Sequence, residues 1–248
     1  MRHRITVLMS NDFFRFKRFS IRHDRCAMKV GTDGVLLGAW GCVEGRRILD
    51  IGTGTGLIAL MAAQRNPLAS VLGIDIDEEA VRQAQENVGE SPFSGRVTCA
   101  CQDVLTFCPD VRYDAVLCNP PFFTEDTLPE GASRILARNN NVLPFPQLIS
   151  RVGKFLAVGG TFSVVVPAAL SQQIITLCLS EGLNLMRRCL VSTTSRKPPR
   201  RALLCFSTQA QVSVDESALC LTAPDGSRSD AYRELTEAFY LDKTRLQV

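Results

Sequence analysis

The stretch Asp50-Ile-Gly-Thr-Gly-Thr-Gly56 sets three glycines at alternate positions directly after a short apolar run. Glycines placed so let the backbone turn tightly and approach a ligand with no Cβ in the way. Asp75 closes a second apolar run, where its carboxylate suits two vicinal hydroxyls. Asp77 reads as a helix cap. Asp103 closes a third run and suits a planar amino group. A fourth run ends in Asn119-Pro120-Pro121-Phe122. Two prolines cannot donate to a sheet ladder or enter a helix, so they fix a rigid extended corner. That corner offers the Asn119 side-chain carbonyl and the Pro120 backbone carbonyl as convergent acceptors for an NH₂ group. Phe122 adds a flat surface on which a base can stack.

The elements that must position these residues alternate in type. Strands are predicted over 47–51, 70–76, 96–101, 113–118 and 160–166, and helices over 57–65, 78–88, 145–156 and 170–180. Near-continuous Val/Ile/Leu strands separated by helices imply a mostly parallel sheet covered on both faces, an α/β Rossmann-like fold. Two late strands, 183–191 and 201–207, have only the loop 195–200 between them. A parallel crossover needs about a dozen residues or more, so this pair is expected as an antiparallel hairpin ending a seven-stranded sheet. A strand over 13–21, a short helix over 33–40 and a final helix over 230–239 complete the expectation. The chain divides into a basic, aromatic segment, 1–46, packed on the core, and a domain over 47–248.

The chain has 248 residues, 46% hydrophobic and 21% charged, enough apolar material for a full core. No apolar run approaches the ~18 residues of a membrane span, and the N-terminus lacks the apolar core of a signal peptide, so a soluble, cytoplasmic protein without a membrane partner is expected. Ten cysteines lie mostly inside strand-like runs and read as buried structural thiols. Cys99-x-Cys101 is too tight for a zinc knuckle and the histidines are only His3 and His23, so no metal site is expected. The net charge is +3, unevenly distributed: residues 1–47 hold ten Arg/Lys against four Asp/Glu, and residues 187–201 hold six Arg/Lys and no acid. Two basic patches on an acidic remainder point to nucleic acid.

Gly54-Thr-Gly56-Leu-Ile-Ala59 also fits a dinucleotide-binding pattern, but a nicotinamide enzyme has no use for the Asn-Pro-Pro-Phe corner. With that corner the chain resembles the class I S-adenosylmethionine-dependent N-methyltransferases. The segment from His23 to Trp40, Ala84-Gln-Glu-Asn87 with Ser91-Pro92, and Ala231-Tyr232 with Ala238-Phe-Tyr240 resemble the bacterial tRNA (adenine-N6) methyltransferases acting on adenosine 37 of a valine tRNA. The resemblance implies cofactor binding by Asp50, Gly52, Gly54, Gly56, Asp75 and Asp103, and an adenine held by Asn119, Pro120 and Phe122. Phe122 departs from the Tyr common at that position and loses only a hydroxyl that stacking does not need. Guanine-N2 methylation of rRNA, glutamine-N5 methylation of a protein, and RNA binding by a retained methyltransferase fold are the other readings. The expected partner is a tRNA gripped at its anticodon arm by a monomer. Its platform is Arg15, Lys17, Arg18 and Lys29, interleaved with Phe14, Phe16 and Phe19, together with Arg196, Lys197, Arg200 and Arg201.

Overall fold

The computed structural model describes residues 13–25, 30–121, 143–210 and 213–241. Its elements run β1 (Phe13–Arg15), β2 (Ser20–Arg22), α1 (Thr32–Trp40), β3 (Arg47–Ile51), α2 (Leu57–Arg65), β4 (Ser70–Asp75), α3 (Glu78–Gly89), β5 (Val97–Cys101) and β6 (Tyr113–Cys118). They continue as α4 (Phe145–Phe155), β7 (Leu156–Pro167), α5 (Ser171–Ser180), β8 (Asn184–Thr194), β9 (Arg201–Ser207), β10 (Asp215–Thr222) and α6 (Asp230–Thr236). No helix of the described residues is long and apolar enough to cross a membrane.

One sheet dominates, ordered β10-β8-β9-β7-β6-β3-β4-β5. Its strands are buried on both faces because side chains alternate with a period of two. Ile48, Ala115, Leu117, Leu203 and Cys205 face one apolar layer with α1, α2 and α3. Leu49, Ile51, Val116, Leu204 and Phe206 face the other, with α4 and α5. Phe162 and Phe206 stack there at 6.2 Å, and truncating either fully buried ring to Ala would cost about 3–5 kcal/mol. Asp77 caps α3, accepting from the amides of Glu79 and Ala80.

The hairpin of β8 and β9 is antiparallel, as loop length demands, and β9 also runs antiparallel to β7. The sheet has an eighth strand beyond the seven expected: β10 pairs in parallel with β8 at the edge. Its sequence, DESALCLT, is polar and half-exposed, so it has neither the apolar run of a buried strand nor a clean alternation. The expected strand over 13–21 folds instead into a small hairpin, with Phe14 opposite Ile21. Phe16 leaves it and bridges to Tyr240.

Candidate active site

β3 is hydrogen-bonded to β4 on one side and to β6 on the other. The chain runs outward from β3 through β4 to β5 and returns to β6, so the carboxyl ends of β3 and β6 flank a topological switch point, where α/β sheets bind ligands. A cavity of about 970 Å³ opens there. The loop after β3 takes left-handed backbone at Gly52, Gly54 and Gly56, with φ of 69°, 54° and 81°. The amides of Gly52 and Thr53 both donate to the Ile74 carbonyl, at 2.8 and 2.9 Å, which ties the loop to β4. A Cβ at Gly52 or Gly54 would meet no protein atom within 4 Å, so the loop presents bare backbone to open space.

Asp75 lines the cavity and braces its wall, accepting from the Gly54 amide at 2.8 Å and the Asp77 amide at 3.0 Å. Each carboxylate oxygen has a second lone pair for a ligand hydroxyl. Asp103 also lines the cavity; one oxygen accepts from the Leu105 amide and sets the turn after β5. Ile76, Val104 and Leu105 supply apolar wall beside them. Asn119 and Pro121 lie on the β6 side, with Pro120 buried between them. A Cβ on Gly34 would stand 3.9 Å from the Asn119 amide nitrogen, which brings the first turn of α1 against the corner. Phe122 and Lys29 lie outside the described residues.

Two expected cofactor residues stand behind this surface. Asp50 is fully buried, and its Oδ2 accepts from the Thr53 hydroxyl at 2.7 Å. Oδ1 has no protein hydrogen-bond partner. Burial pushes the carboxyl up to about 7, with the nearby Asp75 charge adding to the shift. Gly56 opens α2, and a Cβ there would touch Ala84 of α3 at 3.4 Å.

Several contributors had no role assigned from the sequence, although Asp33 and Asn87 lie in segments that carry the family resemblance. A Cβ at Gly73 would come within 2.5 Å of the Thr53 hydroxyl, so only glycine leaves room for the side chain that holds Asp50. The one available signal was a glycine opposite Asp50 in the β3–β4 register. Gln83 and Asn87, both buried, fasten the N-terminal segment to α3: Gln83 bonds the Asp24 carboxylate and Arg25 amide, Asn87 the backbone of Arg22 and Thr55. Asp33 lines the cavity and pairs with Arg201 at 2.7 Å.

The expected RNA platform is redistributed. Phe16 and Phe19 are buried and stack on each other at 4.8 Å, so they pack the core instead of receiving bases; Phe14 is half-buried. Arg15, Lys17 and Arg18 are exposed on the same hairpin. Lys17 donates to the Glu237 carbonyl, and Arg18 lies over the Phe93 ring. Arg187 and Arg188 pair with Asp215 and Glu216 of the unexpected strand β10, which neutralises part of the second basic patch. Arg196, Lys197 and Arg200 are exposed on the β8–β9 turn. β8 and β7 are both antiparallel to β9, which lies between them, so β8 runs in the direction of β7 and the turn after it projects from the same edge of the sheet as the cavity. Arg201 belongs to the cavity wall.

Residues 34–184 match the family model described as methyltransferase small domain. Fold, glycine loop and cavity together are those of an S-adenosylmethionine-dependent methyltransferase. A tRNA1(Val) (adenine(37)-N6)-methyltransferase of Bacteroides fragilis is 44% identical over 94% of this chain and 99% of its own length. The enzyme of that name from Escherichia coli O1:K1 is 39% identical over 95% and 98%. The chain belongs to this family of adenine-N6 methyltransferases. The crystal structure of a predicted O-methyltransferase from Agrobacterium tumefaciens shares the fold, with a TM-score of 0.67 at 18% identity, over 84% of this chain and 96% of that one.

Proposed function

We propose that this protein transfers a methyl group from S-adenosylmethionine to the exocyclic N6 of adenosine 37 in a valine tRNA. One observation carries the reading beyond family membership: the glycine loop and the Asn119 corner meet at a single cavity. The chain's own residues fit the cofactor. Gly52 and Gly54 leave room for backbone contact, Asp75 and Asp103 keep acceptor capacity for ribose hydroxyls and a base, and the orphan Oδ1 of Asp50 lies behind the loop. When bound, the cofactor supplies an electrophilic methyl on a sulfonium.

The adenine amine is a weak nucleophile because its lone pair is delocalised into the ring. Asn119 and the Pro120 carbonyl each accept one of its N–H bonds and fix the nitrogen with its open face toward the methyl. Orientation of this kind is worth ~7–11 kcal/mol in favourable cases. Both acceptors gain strength as positive charge grows on the nitrogen. The proton can leave after methylation, so no general base is required. Stacking of the base falls to Phe122, and Arg196, Lys197 and Arg200 hold the RNA body as a platform next to the cavity. The adenine must leave any stack to enter, which anticodon-arm bases do most cheaply.

Labelled S-adenosylmethionine and tRNA from cells lacking the gene test the reading. Label in N6-methyladenosine at position 37 of valine tRNA is expected; label in N2-methylguanosine or in protein would replace the assignment.

A further inference from the structure

Arg201 is the only Lys or Arg among the described residues lining the cavity. It opens β9, whose first residue pairs with Pro167 at the carboxyl end of β7. β7 in turn lies beside β6, which ends at Cys118, directly before Asn119. Across the carboxyl edge of the sheet the order is therefore Asp103 after β5, Asp75 on β4, the glycine loop after β3, Asn119 after β6, and Arg201 on β9. With strands spaced by ~4.8 Å, Arg201 stands roughly 10 Å beyond Asn119, on the flank away from Asp75 and Asp103. The acids suited to the cofactor, Asp75 and Asp103, lie on the β4–β5 side of the cavity, which leaves the Arg201 side for the nucleotide of the proposed reaction.

Its guanidinium is already oriented. Nε donates to Asp33 Oδ2 at 2.7 Å and Nη1 to the Arg200 carbonyl at 3.1 Å. Arginine has five N–H donors in a rigid fork, so the Nη2 donors remain for an anion. A nucleotide whose base reaches Asn119 must bring its flanking phosphates across the cavity mouth.

We infer that Arg201 binds the phosphate next to the target adenosine, with Asp33 as the positioning residue that aims the guanidinium. The inference rests on the proposed function. Phosphate contact here registers the flipped nucleotide against Asn119, in addition to whatever the exposed turn contributes to tRNA affinity.

The test uses full-length valine tRNA assembled by ligation, with a neutral methylphosphonate at either phosphate flanking adenosine 37. A charge-assisted bond of this type predicts a loss of about ten- to hundredfold in single-turnover methylation for Arg201→Gln. The methylphosphonate at one of the two positions should cost the wild type a similar factor, and combining it with Arg201→Gln should cost little more. Arg201→Lys should recover part of the rate. Asp33→Ala should slow methylation without weakening tRNA binding, because the cation stays while its aim is lost. Multiplicative losses at both phosphates would overturn the inference, and so would a matching loss of S-adenosylmethionine affinity in Arg201→Gln, which would assign the anion to the cofactor's carboxylate. Failure of the wild type to methylate unmodified tRNA would instead remove the proposed function.

Discussion

Asp50→Asn should stabilise the protein at neutral and alkaline pH while weakening its hold on the cofactor. Asp50 is fully buried; its Oδ2 accepts from the Thr53 hydroxyl, and its Oδ1 has no partner at hydrogen-bond geometry. Its carboxyl rises from 3.8 to about 7, through burial first and the Asp75 charge second. At ~1.4 kcal/mol per decade, that gap corresponds to roughly 4 kcal/mol. The native state binds this proton more tightly than the unfolded chain does. Its contribution to stability is thus fully present below the unfolded value and is lost as pH climbs through the native one. Asparagine keeps the bond from Thr53 and cannot ionise, but its NH₂ group has no acceptor in place, a cost of ~1–3 kcal/mol. Urea unfolding of parent and variant from about pH 4 to 8 should therefore give a stability difference that moves by roughly 4 kcal/mol in the variant's favour. At the alkaline end the variant should be ahead by ~1–3 kcal/mol, and at the acid end behind by a similar amount. Cofactor affinity, measured by calorimetry at pH 8, should fall because a negative charge behind the loop has been removed from a cationic ligand. A flat stability difference across that range would show that the carboxyl is not held neutral by its surroundings, and the account of Asp50 would fail.

Asp75→Ala should weaken S-adenosylmethionine binding tenfold or more, since bonds to a charged group are worth ~1.5–3 kcal/mol each; unchanged affinity by calorimetry would exclude it from the ribose site. Asn119→Ala should lower single-turnover methylation far more than tRNA affinity, because its bond strengthens as charge develops on nitrogen, and near-normal turnover would move the chemistry elsewhere. Replacing Arg196, Lys197 and Arg200 together by Ala should flatten the salt dependence of tRNA binding by ~0.7–0.9 per lost phosphate contact, with cofactor affinity unchanged; a wild-type slope would leave those residues as a solvated turn. Gly73→Ala should destabilise the protein and weaken cofactor binding together, because the new Cβ displaces the Thr53 side chain from Asp50; wild-type melting and affinity would deny that coupling.

What the chain determined locally was readable from its sequence. The strand of 47–51 and the helix of 57–65 carry their own periodicity, and the loop between them needs its glycines wherever the rest of the chain lies. The same holds for the helix capped by Asp77 and for the hairpin at 195–200, whose short loop permits only antiparallel pairing. Residues whose meaning depends on a distant partner were decided only by tertiary structure. The phenylalanines at 16 and 19 read as exposed aromatics between basic residues until Tyr240 and Phe93 close over them. DESALCLT becomes an edge strand because Arg187 and Arg188 stand ready to pair its acids and β8 offers an open ladder. Arg201 looked like one more charge on a basic loop; the strand order puts it across the cavity from Asp75 and Asp103 and against Asp33, far away in sequence. Periodicity and turn chemistry act over a few residues, whereas burial and ion pairing depend on which strands become neighbours, and that is settled only when the whole sheet closes its core.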